Sequence, residues 1–130
     1  MPTIFTKIIN GEIPCYKVAE TEQYVAFLDI NPLVKGHTLV IPKKETDYVF
    51  DMEDETYAGL MLFAKKTAIA IKKVIPCTKI GIAVIGLEVP HAHIHLVPLN
   101  QVGDLNFSKP KLKPDQEELE NTARQIAYAF

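Results

Sequence analysis

The run His91-Ala92-His93-Ile94-His95-Leu96-Val97-Pro98 alternates imidazole and apolar side chains. Side chains of a strand point alternately to its two faces, so His91, His93 and His95 share one face. Ala92, Ile94 and Leu96 turn the other way, into a core. A slip of one residue would bury the imidazoles and expose the aliphatics, and the apolar set therefore fixes the register. Neighbouring imidazoles on such a strand are spaced roughly 6–7 Å apart. A chain carrying this run needs a sheet with one face buried and the other open to a ligand.

The remaining elements follow from periodicity and punctuation. Ile4, Phe5, Ile8 and Ile9 recur at helical spacing and Gly11 stops them, predicting a short first helix. Tyr16–Ala19 and Gln23–Asp29 read as a hairpin, and the turn residues 31–36 lead into a strand, His37–Ile41, closed by Pro42. His37, Leu39 and Ile41 share a face of it. Leu60, Phe63, Ala64, Thr67, Ile71 and Val74 predict the longest helix over residues 53 to about 75, with Asp51 and Asp54 at its start and Pro76 beyond its end. Lys79–Ile85 reads as an apolar strand covered on both faces. Asp115 opens a C-terminal helix, about 115–130, with Leu119, Ala123, Ile126 and Phe130 on one stripe. This order predicts an α+β fold: an antiparallel β-sheet with a long central helix and short N- and C-terminal helices mainly on one face.

With 130 residues and 48% hydrophobic side chains, the chain suits a single domain spanning 1–130. Disorder, if present, is expected near residues 103–114. A formal net charge of −2 gives no positive field for a polyanion, so nucleic acid is not an expected partner. The two cysteines, Cys15 and Cys77, form no Cys-x-x-Cys pair and read as reduced thiols. The N-terminal residues lack the pattern of a signal peptide, and no apolar run is long enough to span a bilayer. A cytoplasmic location, with no membrane partner, follows by elimination.

Imidazole titrates near neutrality and can serve as nucleophile, acid or donor. A neutral ring nitrogen can attack a phosphorus in line while neighbouring donors stabilise the equatorial oxygens, so the histidine row fits phosphoryl chemistry. Two other readings stand beside it. Three imidazoles could bind zinc in a metal-dependent hydrolase, although His91 and His95 lie roughly 13 Å apart along a straight strand. They could also be polar residues of an exposed sheet face.

The histidine run resembles the signature of the histidine triad (HIT) family, His-φ-His-φ-His-φ-φ. Residues 3–14, Ala26-Phe27-Leu28-Asp29-Ile30-Asn31-Pro32 and Gly36-His37-Thr38-Leu39-Val40-Ile41-Pro42-Lys43-Lys44 resemble the family's Hint-like branch in the same order. The resemblance covers about residues 3–98. It implies a homodimer formed by joining two sheets, and hydrolysis or transfer at the α-phosphate of a nucleoside phosphoramidate or related purine nucleotide, with no cofactor and no metal. It makes His93 the nucleophile of a covalent nucleotidyl-histidine intermediate. By the same matching, His95 contacts phosphate and leaving group, His91 orients His93 through its backbone carbonyl, and His37 supports the network. Asp29 matches the acid that binds the ribose hydroxyls, and Phe5, Ile8, Leu28 and Ile30 match the wall of the base pocket.

Two departures from the pattern stand out. Thr3 and Thr6 occupy the positions where many bacterial relatives carry zinc-binding cysteines, so structural zinc is not expected. Glu88 replaces a hydroxyl residue that usually helps hold the α-phosphate, and Leu87 replaces a glutamine. A carboxylate beside a phosphate costs binding unless it is paired or turned away. Glu88 is therefore expected to face a cationic part of the leaving group or to bond to a histidine. A nucleotide-binding regulatory module with weak catalysis remains an alternative to the enzyme.

Overall fold

The computed structural model describes residues 3–130. In chain order its elements are α1 (Ile4–Ile9), β1 (Lys17–Glu20), β2 (Tyr24–Leu28), β3 (Thr38–Pro42), α2 (Asp54–Val74), β4 (Lys79–Ala83), β5 (Ile94–Leu99) and α3 (Gln116–Ala129). The five strands form one antiparallel sheet in the order β1-β2-β3-β5-β4. This is the expected α+β fold.

The sheet separates two apolar clusters by simple alternation. Ala26, Leu28, Val40, Ile94 and Leu96 face α2 and α3, meeting Leu60, Phe63, Ala64 and Ile71 of α2 and Leu119, Ala123 and Ile126 of α3. Val25, Phe27, Leu39 and Ile41 face the other way and are capped by Phe5 of α1, with Ile8 and Ile9 beside it. Burying a large aliphatic side chain is worth about 1.5–3 kcal/mol, so the helix-side cluster dominates stability. The smaller cluster sets the position of α1 against the histidine run.

Thr3 caps α1: its hydroxyl accepts from Thr6 N, and the Thr6 hydroxyl accepts from Thr3 N. Asp115 likewise accepts from Glu118 N at the start of α3. Asp54 begins α2, whereas Asp51 ends a separate 3-10 turn, Val49–Asp51. Gly36 closes the turn before β3 with φ +93, and a Cβ there would lie 2.8 Å from Ile75 Cγ1. Only glycine suits both constraints.

Two strand expectations need correction. β4 spans Lys79–Ala83 and is the edge of the sheet, paired only with β5. Ile82, Val84 and Ile85 are exposed in the single chain rather than covered on both faces. An apolar run signals burial without saying whether the same chain supplies the cover. Ladder pairing of β5 begins only at Ile94, so His91 and His93 lie in the segment before it, where the chain bends at His91. Segment 103–114 has a defined path, entered through a 3-10 turn, Val102–Asp104.

No helix among the described residues is long and apolar enough to cross a membrane.

Candidate active site

The site lies on the sheet face opposite α2 and α3, where Leu39 pairs with His95 and Leu96 pairs with Thr38. Its outline is a row of rings. Phe5 is 4.9 Å from His93, His93 is 4.9 Å from His95, and His95 is 4.7 Å from Phe107, centroid to centroid. The rings lean closer together than a straight strand spacing of roughly 6–7 Å allows.

Each imidazole is oriented by a bond that can be traced to the backbone. Lys43 N donates to Gln23 O, so at the next position back the backbone of Pro42 faces β5. The ladder between β3 and β5 ends at Val40 and Ile94, so Pro42's missing N–H leaves no ladder bond unmade. Its carbonyl instead accepts from His91 Nε2 at 2.8 Å. His91 Nδ1 is then an acceptor, and the Thr3 hydroxyl donates to it at 3.4 Å.

The carbonyl of His91 takes the next proton. His93 Nδ1 donates to it at 2.7 Å, which leaves the lone pair on Nε2 of His93. On the other side of the row, Leu33 N donates to His37 Nδ1 at 3.0 Å. Neutral His37 therefore carries its proton on Nε2 and donates it to His95 Nδ1 at 3.0 Å. The remaining proton of neutral His95 sits on Nε2. The row presents a nucleophilic lone pair on His93 next to a donor on His95.

Burial favours the neutral form of His37, His93 and His95. It lowers His37 to about 4, helped by Lys111 and His93, and lowers His95 to about 3, helped by His93 and His37. It lowers His93 as well, against the opposing pull of its bond to the His91 carbonyl and the charges of Asp29 and Glu88. Asp29 is held above the ordinary carboxylate range by burial, while the Asn31 backbone N–H, His93 and Lys111 pull it down.

Asp29 opens the turn between β2 and β3. Its Oδ1 accepts from Asn31 N, and its Oδ2 lies 3.8 Å from His37 Nε2, beyond hydrogen-bond range. Asp29, His37 and His95 bring one possible ligand atom each within 4.8 Å of one another. His37 has no free lone pair in this arrangement, because Nδ1 accepts from Leu33 and Nε2 carries the shared proton. His37 and His95 thus form a hydrogen-bonded pair with the Asp29 carboxylate close by. His91 cannot join His93 and His95 around one ion without breaking its bonds to Pro42 and Thr3. A cavity of about 280 Å³ shares Asp29 and His37 with the row and continues beneath them to Lys35, Leu112 and Leu119.

The expected pocket residues separate into two groups. Phe5 and Ile8 lie on the histidine face. Leu28 alternates with Phe27 along β2 and packs into the helix-side core, where it also lines the cavity that Asp29 and His37 share. Phe27 takes its place on the histidine face, 5.8 Å from Phe5. The alternation of β2 against Leu39 and Ile41 was the signal available for this assignment. Ile30 is exposed just beyond β2. Glu88 is also exposed and bonds to no described histidine, although its charge reaches His93. Phe107 and the Thr3 contact carried no sequence signal toward the site.

The HIT domain family model matches residues 10–102. The chain is 37% identical to a HIT-like protein of Borreliella burgdorferi, over 95% of each chain. It is 35% identical to the adenosine 5'-monophosphoramidase of Schizosaccharomyces pombe, over 98% of this chain and 97% of that one. Among solved structures, a Hit-like protein of Bartonella henselae superposes with a TM-score of 0.85 at 33% identity, covering 98% of this chain and 96% of that one.

Proposed function

The chain belongs to the HIT family, and from that premise we propose that it hydrolyses or transfers at the α-phosphate of nucleoside phosphoramidates or related purine nucleotides. The observation that carries this reading is the bond from His93 Nδ1 to the His91 carbonyl, which leaves Nε2 free to attack. Support also comes from the fission-yeast relative named for adenosine 5'-monophosphoramidase activity.

In this reading Nε2 of His93 forms a bond to phosphorus as the P–N bond breaks, and the departing amine takes its proton from His95 Nε2–H. Water then opens the nucleotidyl-histidine and releases the nucleoside monophosphate. His95 Nε2–H donates to a phosphate oxygen as charge redistributes. Asp29 binds the ribose hydroxyls, and Phe5, Ile8, Phe27 and Ile30 border the base. Glu88 favours a leaving group with a cationic portion.

The catalytic unit is the whole of 1–130 read as one HIT domain, working in the cytoplasm as a homodimer. The exposed edge of β4 is the surface that suits a second copy.

The test is turnover of an adenosine phosphoramidate by metal-stripped protein beside His93→Ala, with mass spectrometry of quenched reactions. Metal-free turnover and an adduct on His93, both lost in the variant, are expected. Turnover only with added metal, or full activity in the variant, would overturn the reading. Equal kcat/KM for Glu88→Gln across cationic and neutral leaving groups would remove Glu88 from it.

A further inference from the structure

After β5 the chain turns back on itself. Asp104 Oδ2 accepts from Asn100 N at 2.8 Å and Gln101 N at 3.0 Å, and the following segment passes along the histidine row. Phe107 packs in T-shaped geometry against two imidazoles, 4.7 Å from His95 at 69° and 6.1 Å from His37 at 74°. It belongs to neither apolar cluster of the fold. After this contact the segment is braced by Lys111 Nζ, which donates to the carbonyls of Phe107 and Lys109, and tied down by Leu112 N, which donates to Pro32 O at 2.9 Å.

This placement has a chemical consequence. A phenyl ring meets an imidazole through its edge or face and uses none of the ring nitrogens. It can exclude water from the His37–His95 bond while leaving Nε2 of His95 free to donate. A water in its place would compete for the same nitrogens.

We propose that Phe107 is a positioning residue, sealing the His37–His95 pair so that the proton of His95 stays on Nε2 and faces the substrate. This rests on the reading above only in giving His95 a task on the phosphate. The charged and titratable groups around the pair are Asp29 from the end of β2, His93 from the run before β5, and Lys111 from the same segment as Phe107. Glu88 acts on His93 from the preceding loop. None of these supplies the apolar cover that Phe107 gives.

The experiment compares Phe107→Ala, Phe107→Leu and Phe107→Tyr in the full chain. Steady-state kinetics on an adenosine phosphoramidate are run at about pH 5.5 and about pH 8, either side of the ordinary imidazole pKa. NMR titration of the histidines accompanies them, and His93→Ala marks turnover due to this site. In Phe107→Ala we expect kcat to fall about tenfold or more at the higher pH with KM little changed. The fall should be larger at the lower pH, because hydration restores proton uptake by His95 and His37. Tyr should retain kcat, and Leu should lie between.

An equal loss at both pH values with an unmoved His95 titration would overturn the proposal. A rise in KM alone would do so too, by making Phe107 a wall for substrate. If wild-type protein failed to turn over the probe, the enzymatic reading would fail. The His95 titration in Phe107→Ala would still decide whether the ring seals the pair.

Discussion

His37 Nε2 lies 3.0 Å from His95 Nδ1, and Leu33 N lies 3.0 Å from the opposite nitrogen of His37. One ring thus passes the direction of a backbone N–H across to the donor of the site. His37→Leu removes both bonds. It should cost about 1–3 kcal/mol, because a buried amide loses its acceptor. It should also lower kcat about tenfold to a hundredfold as His95 loses its fixed tautomer. Denaturant unfolding and steady-state kinetics measure the two effects, and an unchanged kcat would show that His95 needs no partner.

The same pair makes stability depend on pH. The folded-state values of His37 and His95, about 4 and about 3, lie below the ordinary value of 6.5. Between those limits the unfolded chain binds more protons than the folded one, so stability rises with pH through this window. Their contribution is present above about pH 6.5 and is lost as pH falls toward 4 for His37 and 3 for His95. A depression of this size corresponds to roughly 3 kcal/mol for His37. Unfolding free energies at several pH values test this, and a flat profile across the window would contradict it.

How far the sequence revealed this arrangement depends on what carried each signal. The alternation at His91–Leu96 was enough to assign the face of each side chain, because Ile94 and Leu96 can go only to the core. It could not show where pairing begins, nor that His91 is turned onto the Pro42 carbonyl, since that needs a neighbouring strand. Leu28 and Phe27 are both apolar neighbours on β2, and only the register against Leu39 and Thr38 separates them. Phe107 stands in a segment rich in lysine and proline with no period at all. Its value comes from a chain reversal that local sequence does not encode.

Thr3 joins two functions in one hydroxyl: it accepts from Thr6 N at the start of α1 and donates to His91 Nδ1. Thr3→Ala should cost about 1 kcal/mol through the lost cap. It should also lower kcat, because His91, whose carbonyl holds His93, loses an anchor. Thr3→Ser should restore both. Loss of stability with full kcat would confine Thr3 to capping.

The exposed side chains of Ile82 on the free edge of β4 and of Val84 and Ile85 just beyond it give a direct test of the proposed homodimer. Ile82→Lys places a charge on that edge, a substitution that blocks strand-edge association. Sedimentation should find a dimer for the wild type and a monomer for the variant. A wild-type monomer would remove this part of the proposal.

Gly59 tests the packing that supports the sheet from the helix side. In an exposed helix interior, replacing glycine by alanine stabilises by about 1 kcal/mol. A Cβ at Gly59, however, would overlap Tyr24 Oη and lie 2.9 Å from its Cζ. Tyr24 cannot easily yield, because its hydroxyl donates to Thr56 O at 3.1 Å and its ring stacks on Phe63 with centroids 5.8 Å apart. Overpacking of this kind costs about 1–3 kcal/mol, so Gly59→Ala should destabilise the protein despite its better helix propensity. The cost should shrink in a Tyr24→Phe background, which removes the overlapping oxygen, and a double-mutant cycle by denaturant unfolding isolates that coupling. A stabilised Gly59→Ala would mean that Tyr24 gives way, and with it the packing of β2 against α2.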